Sequence, residues 1–124
     1  MRRGSKMVHF IGVGKGSADL ITLRGAKMLK EGDIVIYSHS LIEKQMVKKM
    51  RKLSVKYNAD DMTIENIIAV IREAEWAKMT TVILTSEEPS PDCEMSRQMD
   101  EFDKNGINYD FIPGVYPNRR FEFD

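Results

Sequence analysis

The 124 residues suit one domain with a single core, and 42% hydrophobic against 31% charged residues is an ordinary globular balance. Lysine plus arginine and aspartate plus glutamate both number 19, which leaves no basic excess to grip nucleic acid. Cys93 is the only cysteine, which excludes an intramolecular disulfide and a zinc site of several thiolates, and no apolar run reaches the ~18 residues of a membrane span.

Met1 to Lys6 is basic, but a polar, acidic segment follows its short apolar stretch, so it reads as a tail and not as a signal peptide. A cytoplasmic protein is expected. Met7 to Val13 is an apolar run ending in glycines, the mark of a buried strand. A helix follows over 22–30, with Gly32 at its C-terminal cap, and then a strand over 33–37. The Lys- and Met-bearing stretch 41–52 predicts an amphipathic helix, and 53–57 a weaker strand. Thr63 caps the next helix, whose Ile64, Ile67, Ile68 and Ile71 share one face; Trp76 closes it and is expected to pack at the sheet edge. A strand over 80–85 comes next. Ser90-Pro91-Asp92 then predicts a helix start, with Ser as N-cap, Pro at the first position and an acid in the first turn. Met95, Met99 and Phe102 line that helix, Gly106 ends it, and a last strand covers 109–112. Strict β-α alternation with short connections predicts a single-domain α/β sandwich of three layers around a parallel sheet.

Few residues carry an independent chemical signal. Gly12-Val13-Gly14-Lys15-Gly16 follows the first strand, where ligands of parallel sheets bind, but the spacing G-x-G-x-G equally suits a tight turn. His9 and His39 read as structural or solvated, and Asp60 with Asp61 lacks the further oxygens a cation needs. Cys93 is read as inert, because Asp92 and Glu94 oppose a thiolate. Lys44, Lys48, Lys49, Arg51, Lys52 and Lys56 could attract phosphates but suit the solvated face of a helix. The nine methionines read as core filling. No catalytic triad and no metal site is assigned.

Longer strings are more specific. Val8-His9-Phe10-Ile11-Gly12-Val13-Gly14-Lys15-Gly16 followed by Asp19-Leu20-Ile21-Thr22-Leu23-Arg24-Gly25 resembles the opening of the tetrapyrrole methylases: a strand, G-x-G-P-G, then D-L-(I/L)-T-L-R-G. Residues 33–41 are similar to D-V-V-I-Y-A-G-S-L, and residues 61–67 to S-M-T-L-D-E-I, of the precorrin-4 (cobalt-precorrin-4) C11-methyltransferase branch. Glu87-Glu88-Pro89-Ser90 stands where the family has G-D-P-S, and Pro113-Gly114-Val115 matches P-G-V.

The resemblance covers about Val8 to Val115 and implies a parallel sheet of five strands in order 3-2-4-1-5. It implies S-adenosylmethionine bound in a cleft between this domain and a C-terminal methylase domain that is missing here, with a corrin precursor beside it, usually in a homodimer. The cofactor-binding residues it implies are Gly12, Gly14, Lys15, Gly16, Glu87, Glu88, Pro113 and Gly114.

The departures fall on that side: Lys15 for proline, Glu87 for glycine, Glu88 for aspartate, and Pro91-Asp92-Cys93 for L-Y-G. Tyr116-Pro117-Asn118 replaces small and hydroxyl residues. These changes, with charges such as Arg119-Arg120, lead us to expect a domain truncated and redesigned to stand alone, rather than a divergent natural half-protein, and one that binds no cofactor by itself. Residues 1–6 are expected to be a tail, 7–115 the domain, and 116–124 a tail or short extra strand. The alternation Arg120-Phe121-Glu122-Phe123-Asp124 suggests a tendency to dimerise.

Overall fold

A computed structural model describes residues 7–116. The expected tail 1–6, Arg119-Arg120 and the alternating segment 120–124 lie outside the described residues.

Five strands form one sheet: β1 (Val8–Gly12), β2 (Ile34–Tyr37), β3 (Val55–Asn58), β4 (Thr81–Thr85) and β5 (Tyr109–Ile112). All pairings are parallel and the order is β3-β2-β4-β1-β5, as the resemblance implied. Three α-helices cross between them: α1 (Leu23–Glu31), α2 (Ile64–Trp76) and α3 (Glu94–Lys104).

Alternation along the strands divides the core into two layers. Val8, Phe10, Ile36 and Ile83 face α2 and α3, where Ile67, Ile71, Met95 and Phe102 close over them. Ile11, Val35, Val82 and Leu84 face α1, where Leu29 and the buried Met46 cover them. The sheet is therefore enclosed on both faces, the arrangement parallel strands require.

Each helix start has a local cause. The Thr22 hydroxyl accepts the Gly25 amide at 3.1 Å and opens α1. Thr63 and Asn66 form a reciprocal capping box at the start of α2. At the far end of α3, Gly106 takes φ +69°, a conformation that favours glycine.

Four expectations need correction. The helix expected over 41–52 is a run of 3-10 turns over Lys44–Lys49, with i to i−3 bonds from Met46 to Glu43 and from Met50 to Val47. The run is pinned at both ends. Glu43 bonds Gly16 and Ala18 at one end, and Arg51 reaches Asp33 at the other. A 3-10 turn rises ~2.0 Å per residue against ~1.5 Å in an α-helix, so the tighter coil spans more distance with the same residues.

The helix expected from Ser90 begins at Glu94 with Cys93 as its cap. Ser90-Pro91-Asp92 is instead a turn closed by Cys93 N–H to Ser90 C=O at 3.2 Å; Ser first and Pro second suit a type I turn as well as a helix start. β3 begins at Val55, two residues later than expected, with Leu53 exposed ahead of it. Trp76 does not pack at the sheet edge: it is 89% exposed.

Candidate functional site

Because β4, β1 and β5 are neighbours, the loops that follow them lie side by side at the C-terminal end of the sheet. Gly12 pairs with Thr85, Ile11 with Ile112, and the Val13 amide donates to the Thr85 carbonyl at 2.8 Å. This register brings all the residues singled out in sequence into one region: Gly12, Gly14, Lys15 and Gly16 after β1, Glu87 and Glu88 after β4, and Pro113 and Gly114 after β5.

What the glycines make room for is other backbone. A Cβ on Gly12 would lie 2.6 Å from both the Gly114 nitrogen and the Tyr116 hydroxyl. One on Gly14 would collide with the Val115 carbonyl, one on Gly16 with the Leu41 carbonyl, and one on Gly114 with the Gly12 carbonyl. The loops are thus interlocked by close backbone approach.

Lys15 stands at φ +53°, ψ +16°. Proline, whose ring holds φ near −65°, is unable to adopt that backbone, so a G-P-G loop of this shape is impossible.

Glu87 turns its carboxylate onto the Glu94 amide at 2.9 Å and thereby satisfies a free N–H in the first turn of α3. Tyr116 lies over Gly12. Burial pushes its hydroxyl above the usual tyrosine range; the Gly114 backbone pulls the other way, and the charges of Glu88 and Cys93 add to the rise. Cys93, 6% exposed but close under the surface, accepts the Ser96 amide at 3.4 Å. Burial pushes its thiol up, yet the hydrogen bonds of Ser96 and the Ser90 and Ser96 backbone outweigh this and set it below its ordinary range. Its sequence neighbours Asp92 and Glu94 suggested the opposite direction.

Beside the interlocked loops opens a cleft of 310 Å³ lined by Ser38, Leu41, Thr85, Ser86, Glu87 and Gln98 among others. Its far wall is a latch that sequence reasoning missed. Asp60 accepts the Ser38 hydroxyl at 2.6 Å and the Ser40 amide at 3.1 Å, while Asn58 Oδ1 accepts the amides of His39 and Asp60, each at 3.1 Å. The Ser38 hydroxyl beside Asp60 holds its carboxyl below the usual carboxylate range; burial opposes this, and Ser40 and His39 reinforce it. Asp60, weighed in sequence as half of a cation site, is thus engaged by the protein. His39 packs on the Tyr37 ring, with centroids 4.4 Å apart, and His9 bonds Asp110 across the β1–β5 pair at 2.7 Å; both act structurally. Among the described residues no three acids, histidines or cysteines converge on a point where a metal would sit.

Comparison with known proteins decides the family. Residues 7–116 match the Tetrapyrrole (Corrin/Porphyrin) Methylases. The chain belongs to that family. It is 34% identical over 111 residues to the cobalt-precorrin-4 C(11)-methyltransferase of Methanocaldococcus jannaschii, covering 90% of this chain and 43% of that protein. It is 31% identical over 108 residues to the precorrin-4 C(11)-methyltransferase of Mycobacterium tuberculosis, covering 87% and 43%. A solved cobalt precorrin-4 methyltransferase, a cobalamin biosynthetic enzyme, superimposes with a TM-score of 0.84 at 25% identity, over 94% of this chain and 49% of that one. The fold extends to a uroporphyrin-III C-methyl transferase of Thermus thermophilus complexed with S-adenyl homocysteine, with a TM-score of 0.69 at 20% identity. The chain spans about half the length of the relatives it matches. Tetrapyrrole methylases depend on S-adenosylmethionine. No helix among the described residues is long and apolar enough to cross a membrane.

Proposed function

We propose that residues 7–116 are the cofactor-side half of an S-adenosylmethionine-dependent cobalt-precorrin-4 C11-methyltransferase of cobalamin biosynthesis, and that this chain by itself is inactive. The observation that carries the branch is the 34% identity to the Methanocaldococcus jannaschii enzyme, which runs through 90% of the chain. In this reading Gly12, Gly14, Lys15, Gly16, Glu87, Glu88, Pro113 and Gly114 border the cofactor.

S-adenosylmethionine supplies an activated methyl group on a sulfonium, so the protein's task is to position donor and acceptor, and the lack of a nucleophile counts for nothing against the assignment. The residues as they stand do not fit the cofactor. Lys15 fixes a loop path closed to the family's proline and adds a cation near a sulfonium. Glu87 puts a side chain where the family has none, and Tyr116 lies across Gly12.

The same three features favour a second reading, a non-catalytic scaffold derived from the domain: Glu87 caps α3 and Tyr116 fills space, and both serve the fold. A chimera separates the two. Residues 7–116 replace the matching half of the Methanocaldococcus jannaschii enzyme, and methyl transfer to cobalt-precorrin-4 is measured. No turnover is expected from the unaltered chimera, and recovery is expected on combining Lys15→Pro, Glu87→Gly, Glu88→Asp and Tyr116→Ser. A folded, reverted chimera without activity overturns the methyltransferase reading in favour of the scaffold. Turnover by the unaltered chimera overturns the inactivity.

A further inference from the structure

At the opposite end of the sheet from the glycine loops lies a feature that methyl transfer does not use. Between Lys44 and Lys56 the chain carries six cations and no acid, so the rest of this neutral protein is acidic by six charges. In an α-helix Lys44, Lys48, Arg51 and Lys52 would share one convex, solvated face. The 3-10 run instead folds back, and with Lys30 at the end of α1 it encloses an open depression of 580 Å³. Lys30, Lys48, Arg51, Lys52 and Lys56 line it, Val47 and Met50 supply its apolar wall, and no carboxylate does.

Two of the five cations are held in position. Arg51 Nη2 donates to Asp33 at 2.9 Å, and Asp33 also accepts the Thr80 amide at 2.8 Å, which ties the guanidinium to the starts of β2 and β4. Lys56 Nζ donates to the Ser54 carbonyl at 3.1 Å and hydroxyl at 3.0 Å. The Arg51 Nε–H is shielded from solvent and has no protein acceptor among the described residues, while the side chain as a whole is 40% exposed. Lys30, Lys48 and Lys52 stand around these two fixed groups with no ion pair to a protein carboxylate among the described residues.

We propose that this depression is a binding site for a compact oligophosphate. Several cations around one hollow need an occupant with several clustered negative charges, which one carboxylate does not supply. A long polyanion is disfavoured because the surrounding protein is net acidic. The site is independent of the cofactor end and stands or falls apart from the methyltransferase assignment.

The test titrates sodium tripolyphosphate into the full isotope-labelled chain and follows backbone amides by NMR. The expected result is saturable shifts confined to Lys30 and residues 47–56. Affinity should fall about tenfold in Lys48→Gln/Lys52→Gln, and again on raising salt from ~50 to ~200 mM, because screening weakens exposed charges. Lys78→Gln/Lys104→Gln, which changes lysines elsewhere, should leave affinity unchanged. Adenosine triphosphate run in parallel distinguishes the bare phosphate chain from a nucleotide: equal affinity assigns the phosphates alone, tighter binding a nucleotide. Shifts that are linear and spread over all surface lysines, or equal loss in the two double variants, would overturn the proposal.

Discussion

Interlocked loops at the C-terminal end of the sheet make Gly114→Ala a sharper test than an ordinary glycine substitution. Gly114 has no left-handed φ, so alanine costs nothing in backbone conformation there. The penalty is steric: the new methyl would land on the Gly12 carbonyl and 3.0 Å from the Leu20 carbonyl. Both are backbone, and the Leu20 carbonyl is held by the Val115 amide at 3.0 Å, so no side chain can swing away. Overpacking of this kind costs ~1–3 kcal/mol, and with backbone on two sides we place it at about 3 kcal/mol. Gly106→Ala is the matched control. Nothing lies within 4 Å of its Cβ position, and only the positive φ of +69° penalises alanine, by about 1 kcal/mol. At roughly 4 °C per kcal/mol for a domain of this size, thermal unfolding should fall by ~12 °C in Gly114→Ala and ~4 °C in Gly106→Ala. A Gly114→Ala variant as stable as Gly106→Ala would refute the interlock.

Phe102→Ala removes a fully buried ring stacked on Phe10 at 5.7 Å and near Tyr109 at 6.1 Å, and should cost ~3–5 kcal/mol in urea unfolding; a loss under ~1.5 kcal/mol would contradict the two-layer core. Trp76→Ser should change stability by no more than ~0.5 kcal/mol, because that ring is 89% exposed; a larger loss would mean it is packed. Asp60 has its folded pKa lowered by the Ser38 hydroxyl, so the latch contributes above the ordinary value of 3.8 and is lost as pH falls through the lowered one. An NMR titration of the Asp60 carboxyl should show a midpoint below 3.8 that rises in Ser38→Ala, and a midpoint at or above 3.8 in the unaltered protein would refute the latch.

Strands β1, β2 and β4 were legible because each is a short apolar run that only a doubly covered sheet buries. Their order came from the family resemblance, since periodicity carries no information on which strands pair. Where one local pattern serves two structures, sequence reasoning chose wrongly. Ser90-Pro91 suits a helix start and a type I turn, and the acceptor that decides between them, Glu87 Oε1 on the Glu94 amide, lies seven residues away. The lysine segment has helical spacing, with Ile42, Met46 and Met50 buried four apart, and becomes a 3-10 run only because Glu43 and Arg51 are anchored to distant residues. Trp76 was misplaced for a reason the sequence did contain. Ile67, Ile71 and Ala74 define the buried stripe of α2, and a residue two beyond Ala74 points about 200° away from it. At the candidate site, the glycines after β1 and the acids after β4 could be assigned to adjoining loops because the motif spacing is local. The Asp60–Ser38 latch spans 22 residues and had no such signal.

Calorimetric titration of the chain with S-adenosylmethionine and with S-adenosylhomocysteine tests the central proposal, that the loops after β1, β4 and β5 border the cofactor site and are closed to it. The account predicts no saturable heat with either ligand. On the proposed reading Lys15 would repel the sulfonium of the first alone, whereas Glu87, Tyr116 and the backbone that Lys15 adopts would exclude both. Binding of S-adenosylhomocysteine only would reduce the obstacle to the charge of Lys15. A micromolar dissociation constant for both would mean that the loops around Gly12 and Gly114 hold a working site, which contradicts the account.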